Sequence, residues 1–345
     1  MLQFWLQFSS RTSETLKTTS GLIKVGQVND INMNNTHFIY QLPNKHAPIL
    51  GIFFIAHACT HSAYDFWPRQ LMCPHCVGLS EEVAVADKAL NAGYLVVVVT
   101  SRDRRSGCWG NKEDTKQVSD VLDFLQTTHT QVSALPVLAY GCSSGGAFAW
   151  RFAQQGQIAG VIIQVMSVSI RPNLWAAKHP FPVVFNAMPK DKDTTEAMHN
   201  NADSLINLYA TYFGNVTAAS ELIVVKDCTA LPVTISYLMN RLYYINISII
   251  DAEAIIRVLK QSGYLDNLTN LLLKDPTNIQ NDWRSILQRD PKTNSILAKR
   301  SIILTKGKSP LAKALHRCWA FHEYCSDYLT DDLAWFKKNV KKQRV

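Results

Sequence analysis

The chain has 345 residues, of which 47% are hydrophobic, and a formal charge of +8 at neutral pH. This is the composition of an ordinary globular protein, with material for one large α/β domain carrying an insertion or for two small domains. Its positive charge is spread out apart from Arg102, Arg104, Arg105 and a tail at Lys337, Lys338, Lys341, Lys342 and Arg344, and no nucleic-acid motif accompanies them, so no nucleic-acid partner is expected. No run approaches the roughly eighteen apolar residues of a membrane span, and membrane association is not indicated.

The first eight residues are apolar and aromatic but lack a basic n-region and a small-residue cleavage site. With the Ser/Thr-rich continuation to Ser20 they read as a disordered leader or a weak transit sequence, so residues 1–20 are set apart from a domain over 21–345. The cysteines are too scattered to read as a disulfide scaffold, and sequons at Asn34, Asn215, Asn246 and Asn267 arise readily by chance. A cytoplasmic or a secretory location is compatible with both features.

From there strand-like and helical runs alternate. Gly21 to Val28 and His37 to Leu42 read as a hairpin pair, Leu50 to Ala58 as a buried strand, and Glu81 to Ala92 as a helix ending at Gly93. Tyr94 to Thr100 is a second buried strand, and Glu113 to Thr128 an amphipathic helix with Val118, Val121, Leu122 and Leu125 on one face. Further strands are expected at Ile158 to Val168, Pro182 to Met188 and Glu221 to Lys226, with a helix at Thr195 to Phe213. Continuous Val/Ile runs separated by helices predict a mostly parallel sheet covered on both faces.

From about residue 230 to 308 the rhythm turns helical, with helices at Asp251 to Ser262 and Asp282 to Gln288. Inserted before the last helices, this segment is expected over the carboxyl edge of the sheet, as a lid or as an elaboration without function.

The chemistry centres on Pro136 to Trp150, where an apolar strand runs through Gly141-Cys142-Ser143-Ser144-Gly145 into a small-residue helix. G-x-S-x-G between strand and helix forces a sharp turn that exposes the serine oxygen, and the flanking glycines let the turn approach its neighbours. Ser143 is the candidate nucleophile. A hydroxyl is barely ionised at neutral pH, so it needs a base, and the base needs a carboxylate to orient it.

With the chain order serine, acid, histidine, the histidines after Ser143 are His179, His199, His316 and His322. The first two precede the last strand. His316 falls inside a helical pattern over Ser309 to Ala320, whereas His322 follows it in a loop, before a helix over Ser326 to Lys338, so His322 is preferred and His316 is the fallback. The acid is expected in the turn after Pro182 to Met188. There Asp191 is preferred over Asp193, which has an alternative role as a helix cap; Asp227 after the next strand is a further fallback. The developing oxyanion needs two aimed amides, assigned to Ser144 and to Cys59 in the loop His57-Ala58-Cys59-Thr60-His61-Ser62. His57 and His61 are expected to shape that loop.

The His57-Ala58-Cys59-Thr60-His61-Ser62 loop, Gly141-Cys142-Ser143-Ser144-Gly145, Met188-Pro189-Lys190-Asp191 and Phe321-His322-Glu323 follow one another as in the α/β-hydrolase superfamily, which the chain resembles from about residue 21 onward. Asp65 to Cys76 and Gly107-Cys108-Trp109 also resemble an uncharacterised plant and algal branch of it. The resemblance implies an α/β-hydrolase fold and a Ser-His-Asp triad without a cofactor; it does not imply a substrate. Ala58 replaces the usual glycine, and the long insertion before His322 is a second departure.

Cys73-Pro74-His75-Cys76 admits a dithiol redox reading, but Arg69 to Met72 is not the strand such a centre follows, and a structural disulfide or half of a metal clip with His57, Cys59 or Cys108 fits better. No metal is assigned. The expected function is hydrolysis of an ester, thioester or amide bond of a small-molecule or acyl substrate. The alternatives are a non-catalytic hydrolase-fold binding protein and a C-x-x-C redox protein. Arg102, Arg104 and Arg105, just past the Tyr94 to Thr100 strand, hint at an acidic group on the substrate.

Overall fold

The computed structural model describes residues 26–43, 48–110, 112–171, 179–278 and 282–342. The expected leader, and the beginning of the strand expected from Gly21, lie outside these residues.

The sheet has eight strands: β1 Val28–Met33, β2 Thr36–Gln41, β3 Gly51–Ala56, β4 Tyr94–Val99, β5 Val137–Cys142, β6 Gly160–Gln164, β7 Val183–Ala187 and β8 Ile223–Asp227. Their order is β1-β2-β4-β3-β5-β6-β7-β8. β1 and β2 are antiparallel to each other, β2 is antiparallel to β4, and every later pairing is parallel. The first strand lies later than expected. Met33 pairs directly with Thr36, and Asn34 and Asn35 between them have φ of 50° and 62°. Two left-handed asparagines form the two-residue hairpin turn whose twist matches the strands, so the Asn-Asn pair, and not the apolar content of 21–28, fixes the register.

The helices are α1 Ser80–Asn91, α2 Lys112–Thr128, α3 Ser144–Ala153, α4 Lys192–Phe213, α5 Val216–Ser220, α6 Ile235–Arg241, α7 Ile249–Gln261, α8 Trp283–Arg289, α9 Pro291–Lys299, α10 Pro310–Trp319 and α11 Leu329–Lys342. Along β3, Ile52, Phe54 and Ala56 join one core layer with residues of α2, α3 and α4, while Phe53 and Ile55 join the other with residues of α1 and α11. Alternate side chains of one strand therefore enter two dry layers, which is why the run is apolar throughout and shows no alternation.

The segment from 230 to 308 supplies α6 to α9. It has its own core, in which Leu238, Ile255, Leu259, Trp283 and Leu287 pack with Leu311 and Leu315 of α10. Among the contacts that anchor it, Tyr237 Oη donates to the Ala314 carbonyl, Tyr244 Oη to the Gly78 carbonyl, and Arg241 pairs with the buried Glu81 at 2.7 Å.

Six cysteines pair, as Cys59–Cys108, Cys73–Cys76 and Cys228–Cys325, leaving Cys142 and Cys318 free and buried. This corrects the reading of the cysteines as too scattered. The partners in two of the pairs are 49 and 97 residues apart, and only the convergence of loops at the sheet edge brings them together. No helix of the described residues is long and apolar enough to cross a membrane.

Candidate active site

Ser143 joins β5 to α3 with φ 53° and ψ −122°, a strained conformation for a residue with a Cβ. The glycines around it are sterically required. A Cβ on Gly141 would lie 2.1 Å from the Gly145 carbonyl oxygen, and one on Gly145 would lie 2.0 Å from that of Ala56. The first turn of α3 thus rests directly on the end of β3.

His322 Nε2 lies 2.9 Å from Ser143 Oγ, and His322 Nδ1 lies 2.6 Å from Asp191 Oδ2. Three residues from three loops form one hydrogen-bonded line. Asp191 occupies the N-cap position of α4, yet its carboxylate makes no capping hydrogen bond and faces the imidazole. Asp193, the fallback acid with an alternative role as a cap, sits in the first turn of α4 and is exposed. The fallback His316 lies on α10 with Nδ1 3.3 Å from Glu323, and Asp227 faces His199 at 3.2 Å.

With a strand order of β1-β2-β4-β3-β5-β6-β7-β8 and a left-handed serine turn between β5 and the helix that follows, the topology is decided. The fold is that of the α/β hydrolases. In this α/β-hydrolase sheet Ser143 follows β5, Asp191 follows β7, and His322 stands in the loop before the last helix of the described residues. No protein-family model matches the sequence, and no curated protein matches it. Among solved structures, the chain is similar to a thermostable esterase (9% identity, TM-score 0.39, 59% of this chain and 54% of that one). It is also similar to an alpha-beta serine hydrolase homologue from Coxiella burnetii (12%, TM-score 0.38, 69% and 100%) and to an acetyl xylan esterase from Aspergillus awamori (14%, TM-score 0.39, 56% and 82%). These are distant likenesses; the assignment of the fold rests on the strand order and the serine turn of this chain.

The amide of Ser144 opens α3, where helix geometry leaves it without an intrahelical acceptor. The Cys59 amide likewise has no acceptor among the described residues, whereas its neighbours do: Ala58 N–H donates to Tyr324 Oη at 2.7 Å and Thr60 N–H to the Ser106 carbonyl at 2.7 Å. The Cys59 side chain is bonded to Cys108, which ties this loop to residues 101–108. His57 is buried; its Nδ1–H donates to the Ala58 carbonyl and its Nε2 accepts from Ser101 N–H at 3.0 Å. Burial pushes its pKa down to about 4, so the ring is a neutral brace. His61 lies 3.1 Å from Asp65 and 3.2 Å from Glu82.

Behind His322, Glu323 is buried and takes Lys313 Nζ at 2.8 Å. Lys313 and the neighbouring imidazoles hold the Glu323 carboxyl well below the usual range, while burial holds Glu82 well above it. Cys73 and Cys76 are bonded and buried, and α1 begins only at Ser80, so neither stands in the first turn of the helix that follows, where a thiolate would be stabilised. Cys59 and Cys108 are spent on each other and cannot complete a metal clip, and no metal-ligand cluster occurs among the described residues.

Sequence reasoning missed Gln164 and Tyr324. Gln164 ends the run Gly-Val-Ile-Ile-Gln of β6 and is buried; a polar residue closing an apolar strand is the signal that points to it.

Proposed function

We propose that the chain is a serine hydrolase that cleaves an ester, thioester or amide bond through an acyl-enzyme. The observation that carries this reading is the hydrogen-bonded line from Ser143 Oγ through His322 to Asp191. In the proposed reaction Ser143 Oγ attacks the substrate carbonyl while His322 Nε2 takes its proton. Asp191 accepts from Nδ1–H, holding the ring orientation and stabilising the imidazolium. The oxyanion is held by the Ser144 and Cys59 amides, with the N-terminal dipole of α3 adding to the field. The imidazolium then protonates the leaving group, and water, deprotonated by the same imidazole, hydrolyses the acyl-serine.

A non-catalytic binding protein would have no need of a serine in a left-handed turn aligned with an imidazole, and the two short distances weigh against that alternative. The test is a fluorophosphonate probe, expected to label the wild type and not Ser143→Ala. Failure to label the wild type, or equal labelling of the variant, removes the hydrolase reading. For the substrate, Arg104 and Arg105 lie exposed in the loop that Cys108 ties to Cys59, a placement that supports an acidic group on the acyl or leaving side. Unchanged kinetics toward anionic esters in the Arg104→Ala, Arg105→Ala double variant would count against it.

A further inference from the structure

We propose that Gln164 is a positioning residue that sets the Ser143–His322 geometry by holding both loops from one point. The inference rests on the reading of Ser143 as nucleophile and His322 as its base, residues 179 positions apart in the chain. Gln164 closes β6, buried at 1% exposure. Its backbone carbonyl accepts the Ser143 N–H at 2.9 Å. Its side-chain amide makes both bonds that the Cys325 backbone offers: Nε2 donates to the Cys325 carbonyl at 2.5 Å, and Oε1 accepts the Cys325 N–H at 3.0 Å.

Cys325 stands three residues after His322 and is fixed through its sulfur to Cys228 beyond β8. The histidine loop is therefore held at Cys325 by β6 through the backbone and by the end of β8 through the side chain. A paired amide of this kind fixes orientation as well as distance, which a disulfide alone does not.

Backbone conformation around this point supports the same role. Ser143, Val165 and His322 all have positive φ, at 53°, 42° and 44°. For β-branched Val165 this is an outlier that persists only where the surroundings over-determine it. Val165 follows Gln164 directly, is buried, and donates its N–H to the Asn186 carbonyl at 3.0 Å. The strained peptide turns the chain immediately after the residue that clamps the other two strained loops.

The test compares wild type, Gln164→Leu and Gln164→Glu. Leucine keeps the bulk of the side chain and removes both bonds. The expected result is a roughly 10- to 100-fold slower fluorophosphonate labelling, the scale of a displacement near 1 Å at a reacting pair. Glutamate, buried against a carbonyl, stays neutral at pH 7 because burial raises its pKa; its O–H replaces the amide donor and its carbonyl the acceptor. Gln164→Glu is therefore expected to label near the wild-type rate at neutral pH and to gain an alkaline limb that the wild type lacks.

Labelling of Gln164→Leu within about twofold of wild type, well short of the loss expected, overturns the proposal. A Gln164→Glu pH profile that superimposes on the wild-type one does the same, and it decides the matter if the leucine variant does not fold. A second readout is independent of reactivity: the downfield proton resonance of His322 Nδ1–H on Asp191. It should be sharp in wild type, Ser143→Ala and Gln164→Glu, and lost to exchange in Gln164→Leu. If the wild type fails to label, the hydrolase reading falls, and persistence of this resonance in Gln164→Leu still overturns the role of Gln164.

Discussion

Replacing Gly145 with alanine probes the contact between α3 and β3. The new Cβ would meet the Ala56 carbonyl oxygen at 2.0 Å and that of His57 at 2.5 Å, against a floor of 3.0 Å for real Cβ contacts. Both obstacles are backbone at the end of a central strand, so the first turn of α3 must withdraw by at least about 1 Å, carrying the Ser144 amide away from the loop that bears Cys59. Overpacking of this kind costs about 1–3 kcal/mol of stability, and a misplacement of that size at a reacting centre costs about 100-fold in rate. The two effects separate with Gly214→Ala as reference. Gly214 ends α4 at φ 65° with nothing near its missing Cβ, so alanine there costs about 1–2 kcal/mol for the left-handed conformation alone. It lies at the far end of a 22-residue helix from Asp191, about 33 Å away at 1.5 Å per residue. The assay is the second-order rate of fluorophosphonate labelling alongside thermal melting. Both variants should melt earlier, and only Gly145→Ala should label slowly. Equal labelling rates in the two variants would refute the argument that this contact sets the serine turn.

His322→Gln should keep the fold and lower labelling by about 10³-fold or more, because it removes the imidazole hydrogen-bonded to Ser143 Oγ; residual labelling near the wild-type rate would point to His316 or another base. Removing Cys228–Cys325, which spans 97 residues, should cost about 4–5 kcal/mol in urea unfolding. Loss of Cys73–Cys76, spanning three, should cost only about 1–2 kcal/mol, and the reverse ranking would contradict the chain-entropy account. The buried His57, with its pKa depressed from 6.5 to about 4, binds fewer protons folded than unfolded between those values. Its contribution is therefore intact above pH 6.5 and is lost as pH falls to about 4, a total of roughly 3 kcal/mol. The fall in urea-unfolding stability over this window should be smaller in His57→Gln; parallel curves would contradict it.

Much of this arrangement was legible in the sequence because its signals are local. The continuous apolar runs of β3, β4 and β5 are satisfied by burial on both sides, and the glycines around Ser143 mark a turn that allows no Cβ. Chain order then narrowed the partners to the late acids and histidines, among which Asp191 is preferred over Asp193 and Asp227, and His322 over His316. What was not legible depends on contacts between distant segments. The partners of Cys59 and Cys228 come from loops that meet only after the sheet is assembled, and Gln164 acts through Cys325, which lies 161 residues away. The first strand differs for another reason: β1 runs over Val28–Met33 because the left-handed Asn34-Asn35 turn, a constraint that apolar content alone does not carry, sets its pairing with β2. The helix-cap alternative that sets Asp193 behind Asp191 as the acid belongs to Asp191 by position, because the N-cap of α4 is Asp191.

That position makes the acid a point of conflict between folding and chemistry. An aspartate at a helix N-cap ordinarily accepts an amide of the first turn, a bond whose loss costs about 0.5–2 kcal/mol. Here the carboxylate is turned away from α4 toward the imidazole, and the helix begins uncapped. Serine or asparagine at 191 would be free to close the helix end, so the substitution that removes the acid from His322 is also one that the helix favours. On the proposed mechanism, the chain holds its site against a local pull toward a better-capped form that lacks the acid, and selection for stability alone would act against Asp191.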